Sequence, residues 1–149
     1  MYHRILVPVD GSRCSLVALD HAVELARACQ GRITVLYALD PMQPAIPVGM
    51  YGQAVAADQA VEDLTRAARE ILEKAAEHAR GQGAAVESRL TEGSHPVEAI
   101  AAALTDHDLA VMGSHGRSGF KRLLMGSVTE GVIRHRAGMV LVVPGPDEE

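Results

Sequence analysis

The glycines and basic residues between positions 112 and 131 (MGSHGRSGFKRLLMGSVTEG) have the types and spacing best suited to binding chemistry in this sequence. Gly113 and Gly116 allow a positive φ and a close backbone approach, so that consecutive N–H groups can point at an anion. Arg117 and Lys121 add positive charge to the same stretch. The stretch therefore predicts a loop that cradles a phosphate group.

The helix that follows this loop has both a binding and a structural interpretation. Gly126 and Ser127 open the helix, and a helix N-terminus offers free N–H donors to phosphate. However, Ser127-Val128-Thr129-Glu130 also fits a capping box, in which Ser127 and Glu130 satisfy each other's backbone N–H groups. The stretch is neither a Walker loop nor a G-x-G-x-x-G motif. From the residues alone, a phosphate site and an ordinary long turn both remain open.

A second set of polar residues follows the first apolar run, at Asp10-Gly11-Ser12. In open parallel sheets, ligands bind beyond the carboxyl ends of the strands. Asp10 is therefore either a ligand contact or a turn or cap residue before the first helix. His115 is a candidate acid or base, although such a residue is more often a solvated or phosphate-contacting side chain. The other histidines do not have zinc-ligand spacing.

The elements that must position these residues alternate between apolar runs and amphipathic segments. This alternation predicts an α/β domain with a mostly parallel sheet. The segment at 40–57 contains three prolines and two glycines, which favour irregular structure. We predict strands at 5–9, 33–39, 85–91, 109–112 and 139–143, and helices at 12–28, 58–80, 96–105 and 128–136. The third strand alternates in polarity, which indicates a sheet edge.

Length and composition restrict the class of protein. The 149 residues predict one domain over 1–145, followed by a flexible acidic tail at 146–149. Aromatic residues are only 3% and the net charge is −5, which argues against a nucleic-acid partner. Without a signal-like or membrane-length apolar segment, we expect a cytoplasmic protein. Cys14 and Cys29 both fall in the first helix, about 22 Å apart at helical rise, too far for a disulfide.

The complete pattern resembles the ATP-binding members of the universal stress protein family. Gly113-x-x-Gly116, nine further residues and Gly126-Ser127 match the family pattern G-x2-G-x9-G-[S/T]. ILVPVDGS near the start, VLYALD after the second strand and the closing VLVVP extend the resemblance to nearly the whole chain, apart from the segment at 40–57.

The resemblance implies a fold and a set of binding residues. The fold is a single open five-stranded parallel sheet of order 3-2-1-4-5 with helices on both faces, a Rossmann-like nucleotide-binding architecture similar to the adenine nucleotide alpha hydrolases. The first strand end would border adenine and ribose, the second would line the adenine pocket, and the glycine loop and next helix would bind ribose and phosphates. The implied residues are Pro8, Val9, Asp10, Ala38, Met112, Gly113, Ser114, His115, Gly116, Arg117, Ser118, Gly119, Gly126, Ser127, Val128 and Thr129.

The resemblance also implies a function and partners. The expected protein is an ATP-binding regulatory or stress-response homodimer, paired through the edge strand at 139–143, with a further protein partner whose identity the sequence does not give. Mg²⁺ or Mn²⁺ would be held mainly through the phosphates, without a dedicated metal site. The alternative is a slow ATPase or nucleotide hydrolase that uses the same site, with Asp10 and His115 as the candidates for orienting water.

Overall fold

The computed structural model describes residues 1–40, 54–116 and 125–146, and for 54–57 the backbone alone. The predicted alternation of strands and helices is confirmed in this part of the chain. The elements, in chain order, are β1 (Arg4–Pro8), α1 (Arg13–Cys29), β2 (Arg32–Leu39), α2 (Ala54–Gly81), β3 (Ala85–Glu92), α3 (Pro96–Leu104), β4 (Leu109–Gly113), α4 (Ser127–His135) and β5 (Val140–Val143).

The five strands form one parallel sheet of order β3-β2-β1-β4-β5, as predicted. The ladders differ in length. β2 and β3 pair over eight positions and β1 and β2 over five, whereas β1 and β4 pair only at Ile5↔Leu109 and Leu6↔Ala110. The centre of the sheet is therefore held by its shortest ladder, and this is where the strand order reverses direction.

Alternate residues of the strands face two apolar layers. Ile5 and Val7 of β1 are buried on one face, with α1 and α2, while Leu6 is buried on the other, with α3 and α4. Each face is thus covered by the two helices that the right-handed crossovers place there. Because Leu6 is completely buried, truncating it to Ala is expected to cost about 2–5 kcal/mol of the free energy of unfolding.

The helical spacing of apolar residues predicts that Leu16 of α1 and Val61 of α2 belong to buried stripes, but both side chains lie at the surface. Leu16 is 39% exposed, because the buried face of α1 is built from Ser15, Leu19 and Val23 with the alanines beside them. Val61 of α2 is 48% exposed. At helical rise the 28 residues of α2 span about 42 Å, but eight strand residues cover only about 26 Å. Much of the helix therefore extends beyond the sheet, and its fully buried positions begin at Ala68.

The start of α2 is a further correction. The irregular segment was predicted to continue to residue 57, but α2 begins at Ala54. Residues 54–57 are Ala-Val-Ala-Ala, and alanine has the highest intrinsic helix propensity. The rest of the predicted irregular segment, from 41 to 53, lies outside the described residues.

Other predictions agree with the described structure. Cys14 and Cys29 lie at opposite ends of α1, and both are free thiols. β3 and β5 are the two edge strands. No helix among the described residues is long and apolar enough to cross a membrane.

Candidate functional site

The site lies where β1 and β4 separate at their carboxyl ends. After Leu6↔Ala110 the two strands make no further ladder pairs, and a cavity of about 310 Å³ opens between them. This volume is at the lower end of the range for small-molecule pockets. The residues that line it are Pro8, Val9, Asp10, Ser15, Leu36, Tyr37, Ala38, Pro96, Ile100, Met112, Gly113, His115, Gly116, Gly126, Ser127, Val128 and Thr129.

Most of the predicted binding residues come together at this cavity. Those that line it are Pro8, Val9, Asp10, Ala38, Met112, Gly113, His115, Gly116, Gly126, Ser127, Val128 and Thr129. Ser114 is different: it is buried and does not line the cavity. Arg117, Ser118 and Gly119 lie outside the described residues.

Sequence reasoning missed five residues of the lining: Ser15, Leu36, Tyr37, Pro96 and Ile100. The topology contained a signal for Pro96 and Ile100, because a helix that follows a parallel strand begins at the carboxyl edge of the sheet. Proline at the first position of a helix marks that start. Tyr37 is the neighbour of Ala38 in β2, and nothing in the residue types indicated that Tyr37 also lines the cavity.

The glycines of the loop are needed for close packing rather than for a positive φ. A Cβ at Gly113 would lie 2.9 Å from the carbonyl carbon and oxygen of Cys14 in α1. A Cβ at Gly116 would lie 2.9 Å from Asp10 Oδ2. Neither residue has a positive φ. Both glycines therefore allow the backbone to pack closely against other parts of the chain, and neither adopts the left-handed conformation that glycine permits. Their approach to an anion stays a prediction.

The predicted capping box is also wrong. Gly126, not Ser127, is the N-cap of α4, and Ser127 is the first helical residue. Glu130 does not reach back to the helix start. Its backbone N–H donates to the carbonyl oxygen of Gly126 (3.0 Å), and its side chain forms an ion pair with Arg134 one turn later (2.6 Å). The physical reason is the register of the helix, which begins one residue earlier than the capping box requires.

The consequence is a helix N-terminus without a side-chain cap. No side chain accepts a hydrogen bond from the first turn of α4 at its N-cap. Such a helix end leaves backbone N–H groups without an intrahelical partner and carries a partial positive charge. Ser127, Val128 and Thr129 all line the cavity, so these donors lie at its wall.

The two hydroxyl groups of this helix start differ. Thr129 Oγ1 donates to the carbonyl oxygen of Gly113 (2.9 Å), which ties α4 to the end of β4. Its O–H is therefore already used, and a ligand would meet Thr129 through the backbone. Within the described part of the chain, the Ser127 hydroxyl makes no hydrogen bond, and the residue is exposed at the rim of the cavity.

Asp10 is fixed at the opposite wall, directly after β1. Its Oδ1 accepts from the backbone N–H of Ser12 (2.9 Å), while its Oδ2 faces Gly116. Ser12, rather than Asp10, caps α1, since Ser12 Oγ accepts from the N–H of Ser15 (3.2 Å). Asp10 is therefore not the cap of α1, but its bond to the N–H of Ser12 is that of a turn residue, and it lines the cavity as well.

The end of β2 forms a third wall. The β1–β2 ladder finishes at Pro8↔Leu36, with the N–H of Val9 donating to the carbonyl oxygen of Leu36 (2.8 Å). β2 continues to Leu39 beside β3 only. Because alternate residues of a strand direct their backbone groups to the same neighbour, those of Ala38 point to the side where β1 has ended. Ala38 lines the cavity there.

The described residues of the cavity do not form a metal centre. Across the described ranges, no three His, Cys, Asp or Glu side chains are grouped so that they could hold a metal ion.

The fold and this cavity define an open α/β protein with a cavity at the switch point of its sheet. The profile of the Universal stress protein family matches residues 1–144. The universal stress protein MJ0531 of Methanocaldococcus jannaschii is 32% identical over 150 residues, covering all of this chain and 86% of the relative. The chain therefore belongs to the universal stress protein family.

Solved structures agree with this assignment. The structure of MJ0577, a universal stress protein of the same organism, has a TM-score of 0.84 and 28% identity, covering 99% of both chains. A universal stress protein in complex with cAMP has a TM-score of 0.67 and 28% identity, covering 97% of this chain and 98% of that chain. The protein from Archaeoglobus fulgidus in complex with dAMP has a TM-score of 0.65 and 25% identity, covering 95% of this chain and 97% of that chain.

Proposed function

We propose that this protein binds ATP in the cavity between β1 and β4 and acts as a nucleotide-dependent regulatory protein. The observation that carries the proposal is the start of α4, where an uncapped helix N-terminus and a glycine N-cap face the cavity. Backbone N–H donors and the positive end of a helix dipole are the groups that bind phosphate without a charged side chain.

The phosphates would lie between the glycine loop and α4. Gly113 packs closely against Cys14 of α1 and Gly116 against Asp10, and a Cβ at Gly126, the N-cap of α4, would lie 3.3 Å from the carbonyl oxygen of Ser114, so the loop backbone passes close to the start of α4. The hydroxyl of Ser127 and the N–H groups of residues 127–129 then provide donors on the helix side. His115 adds an imidazole on the loop side. Phosphate oxygens are acceptors, and the lining supplies mainly donors.

The base would lie at the end of β2. Adenine carries an amino donor beside a ring-nitrogen acceptor, and a strand edge offers an acceptor and a donor in the same order. The backbone of Ala38 provides such an edge, and the side chains of Val9, Ile100 and Met112 give apolar surface for the ring. Asp10 lies between base and phosphates, in reach of a ribose hydroxyl group.

Relatives support the ligand class. Structures similar to this chain have been solved with cAMP and with dAMP, both of which are adenine nucleotides. The uncapped start of α4 favours ATP over an adenine nucleotide with one phosphate, since a chain of phosphates needs more hydrogen-bond donors than a single phosphate group does.

A metal ion at the cavity would enter with the nucleotide. Mg²⁺ takes oxygen ligands and is usually held through substrate phosphates with few carboxylates. The described residues of the cavity, which do not form a metal centre, fit that arrangement. We therefore propose Mg²⁺ or Mn²⁺ as an ion bound by the phosphates, and equilibrium dialysis of the metal with and without ATP tests it.

The protein would act as a homodimer through β5. This strand is an edge of the sheet, and Met139 and Leu141 are 57% and 42% exposed beside it. Apolar edge strands favour pairing with another chain. Replacing Leu141 with Lys should convert a dimer to a monomer in sedimentation experiments. A wild-type protein that sediments as a monomer would contradict this part of the proposal.

A slow hydrolase is the second candidate, because Asp10 and His115 both line the cavity. Hydrolysis needs a residue that orients water, and Asp10 and His115 are the candidates among the described residues of the lining. Release of phosphate that survives stringent purification and disappears in both Asp10→Ala and His115→Ala would establish this activity.

Calorimetry with nucleotide-stripped protein tests the main proposal. We expect ATP to bind in the micromolar range or tighter and to raise the melting temperature, since a ligand that binds only the folded state stabilises it. Mass analysis of the nucleotide that co-purifies is the complementary measurement. The proposal fails if neither heat nor a thermal shift is seen with ATP, ADP, AMP or cAMP.

A further inference from the structure

Three polar side chains meet where α1 packs against the end of α2, outside the cavity. Asp20 belongs to α1, His78 to the last turn of α2, and Gln82 follows directly after this helix. Asp20 Oδ1 lies 2.7 Å from His78 Nε2 and 2.7 Å from Gln82 Nε2. The two nitrogen atoms are 2.9 Å apart. The three atoms therefore form a nearly equilateral triangle, which we call the α1–α2 triangle.

Hydrogen bonds do not satisfy all three sides of the α1–α2 triangle. The amide of Gln82 has two N–H bonds about 120° apart, whereas its two partners are separated by an angle of only about 60°, so it donates well to one of them. If His78 Nε2 carries a proton and donates to Asp20, the nitrogen atoms of His78 and Gln82 are two donors in contact. If Nε2 is unprotonated, its lone pair faces the carboxylate at 2.7 Å. In each protonation state of His78, one side of the triangle is unfavourable.

A shared cation removes this conflict. Half a turn of the terminal side-chain bond of Gln82 exchanges its two amide atoms and brings Oε1 to the position of Nε2. A carboxylate oxygen, an amide oxygen and an imidazole nitrogen then direct their lone pairs at one centre. We propose that the α1–α2 triangle binds a divalent first-row transition-metal ion, with Asp20, His78 and Gln82 as its protein ligands. Because the third ligand is an amide, no group of three His, Cys, Asp or Glu side chains is needed in the described ranges.

The size of the α1–α2 triangle fits octahedral coordination. With metal–ligand bonds of about 2.1 Å, adjacent ligand atoms lie about 3.0 Å apart in an octahedron and about 3.4 Å apart in a tetrahedron. The observed sides of 2.7 to 2.9 Å are closer to the octahedral value. The side chains of His78 and Asp20 are 46% and 49% exposed, so water can occupy the remaining positions. The imidazole favours a transition metal over Mg²⁺ or Ca²⁺, which take oxygen ligands.

The backbone also favours positive charge at this place. α2 ends at Gly81, and the carboxyl end of a helix carries a partial negative charge that stabilises a nearby cation. Because the ligands come from two segments, the bound ion would hold α1 against the end of α2. An ion that binds only the folded chain should therefore raise its melting temperature. This proposal does not depend on the proposed function, since none of the three ligands lines the cavity.

Calorimetry with Zn²⁺ and metal-stripped, nucleotide-free protein tests the site. We expect one ion per chain at this site and a higher melting temperature when Zn²⁺ is added. His78→Ala and Asp20→Asn should each weaken Zn²⁺ binding about tenfold or more, since even the loss of a group that only orients a ligand costs a factor of 10 to 100. His21→Ala is the matched control. It removes another exposed imidazole, directly beside Asp20 in α1, and should leave the affinity for Zn²⁺ unchanged.

Gln82→Glu separates a metal site from a hydrogen-bonded contact. Without metal, the second carboxylate beside Asp20 should lower the melting temperature, because like charges then face each other. With Zn²⁺, the same carboxylate is a better ligand than the amide, so the variant should bind the ion more tightly than the wild type and show a larger thermal shift. A variant that stays destabilised and binds Zn²⁺ no better than the wild type overturns the proposal.

NMR spectra with Co²⁺ locate the ion. Paramagnetic shifts and broadening should be strongest around Asp20 and His78, and weak at Gly113 beside the cavity. If the strongest effects lie elsewhere, or if His78→Ala binds Zn²⁺ as well as the wild type, the ion uses another part of the surface and the proposal is overturned. If the wild type binds neither Zn²⁺ nor Co²⁺, the α1–α2 triangle is only a hydrogen-bonded contact between helices, which also overturns it.

Discussion

β1 and β4 are neighbours in the sheet, but their two ends are built in opposite ways. At the amino ends, Asp108 links the start of β4 to the start of β1 by hydrogen bonds. Its Oδ2 accepts from the N–H groups of His3 and Arg4 (2.9 Å each), and its Oδ1 accepts from the guanidinium of Arg4 (3.1 Å). In return, the N–H of Asp108 donates to the carbonyl oxygen of Arg4 (2.8 Å). At the carboxyl ends, beyond Leu6↔Ala110, the strands separate around the cavity.

The difference concerns where polar groups find their partners. At the amino ends, one carboxylate satisfies several donors of the adjoining strand, which stabilises the fold. At the carboxyl ends lie glycines and the start of α4, where no N-cap side chain accepts a hydrogen bond from the backbone N–H groups of the first turn. Polar groups without hydrogen-bond partners lower stability. In native proteins such groups are found mainly at functional sites, where a ligand supplies the missing partner. The residues at the amino ends therefore serve stability, whereas those at the carboxyl ends form the proposed binding site.

The largest expected effect comes from placing a larger side chain beside the cavity at the carboxyl ends of β1 and β4. Gly116→Val should weaken ATP binding by about two orders of magnitude or more, which corresponds to about 2.7 kcal/mol. A Cβ at this position meets Asp10 Oδ2 at 2.9 Å, and the carboxylate cannot simply swing away because its Oδ1 accepts from Ser12. Calorimetry measures the affinity, and thermal unfolding of the nucleotide-free protein checks that the fold is intact.

Gly81→Val is the matched control for this change. Gly81 is the last residue of α2, and a Cβ there meets nothing within 4 Å. The variant should keep both its affinity and its stability. ATP binding that is unchanged in Gly116→Val would show that the loop is an ordinary turn, and the contrast between the two ends of the strands would lose its functional meaning.

An intermediate effect comes from two serines at two helix starts. Ser12 caps α1 with its hydroxyl, whereas Ser127 lies one position inside α4 and caps nothing. Ser12→Ala should therefore lower the free energy of unfolding by about 1 kcal/mol and leave ATP affinity unchanged. Ser127→Ala should do the reverse, with ATP binding weakened roughly threefold to tenfold and stability nearly unchanged.

Urea unfolding and calorimetry on both serine variants provide the test. A loss of stability in Ser127→Ala comparable to that in Ser12→Ala would mean that Ser127 acts as a cap after all. Equal ATP affinity of Ser127→Ala and the wild type would remove its hydroxyl from the proposed phosphate site.

These examples also show what the sequence was able to predict. The alternation of apolar and amphipathic segments predicted all strands and helices in the described part of the chain, because the period of the pattern reflects burial directly. The resemblance to the family gave the strand order, which local patterns do not contain. The cavity lining at Pro96 and Ile100 was missed because it depends on where α3 docks, a property of the tertiary structure.

The errors at single residues have one cause. The capping box, the apolar stripe of α1 and the glycine loop are patterns of a few neighbouring residues. In the structure, the exact start of a helix or packing against distant segments determines the role of each residue. Ser127 is displaced by one residue from its predicted role, and Leu16 lies off the buried face of α1. Ser114 was predicted to contact a ligand, but it is buried and forms hydrogen bonds with Val143 and Gly145, about 30 positions away in the chain.

The smallest expected effect concerns the amino ends and depends on pH. The backbone N–H of Arg4, and then its guanidinium, lower the pKa of Asp108 in the folded protein. A carboxyl group with a lowered pKa stabilises the fold above its unfolded-state pKa, and this contribution disappears as the pH falls through the folded-state pKa. The wild type should therefore be more stable than Asp108→Asn at pH 7, and the difference should shrink below about pH 4.

Urea midpoints of the wild type and Asp108→Asn across this range measure the difference, and ATP affinity at pH 7 provides the second readout. Since Asp108 lies at the amino ends of β1 and β4, opposite the cavity, the substitution should leave ATP affinity unchanged. A stability difference that is independent of pH would mean that the charge of Asp108 does not contribute. A weakened affinity would mean that the two ends of the strands are coupled through the short β1–β4 ladder, and stability and binding could then no longer be assigned to separate ends.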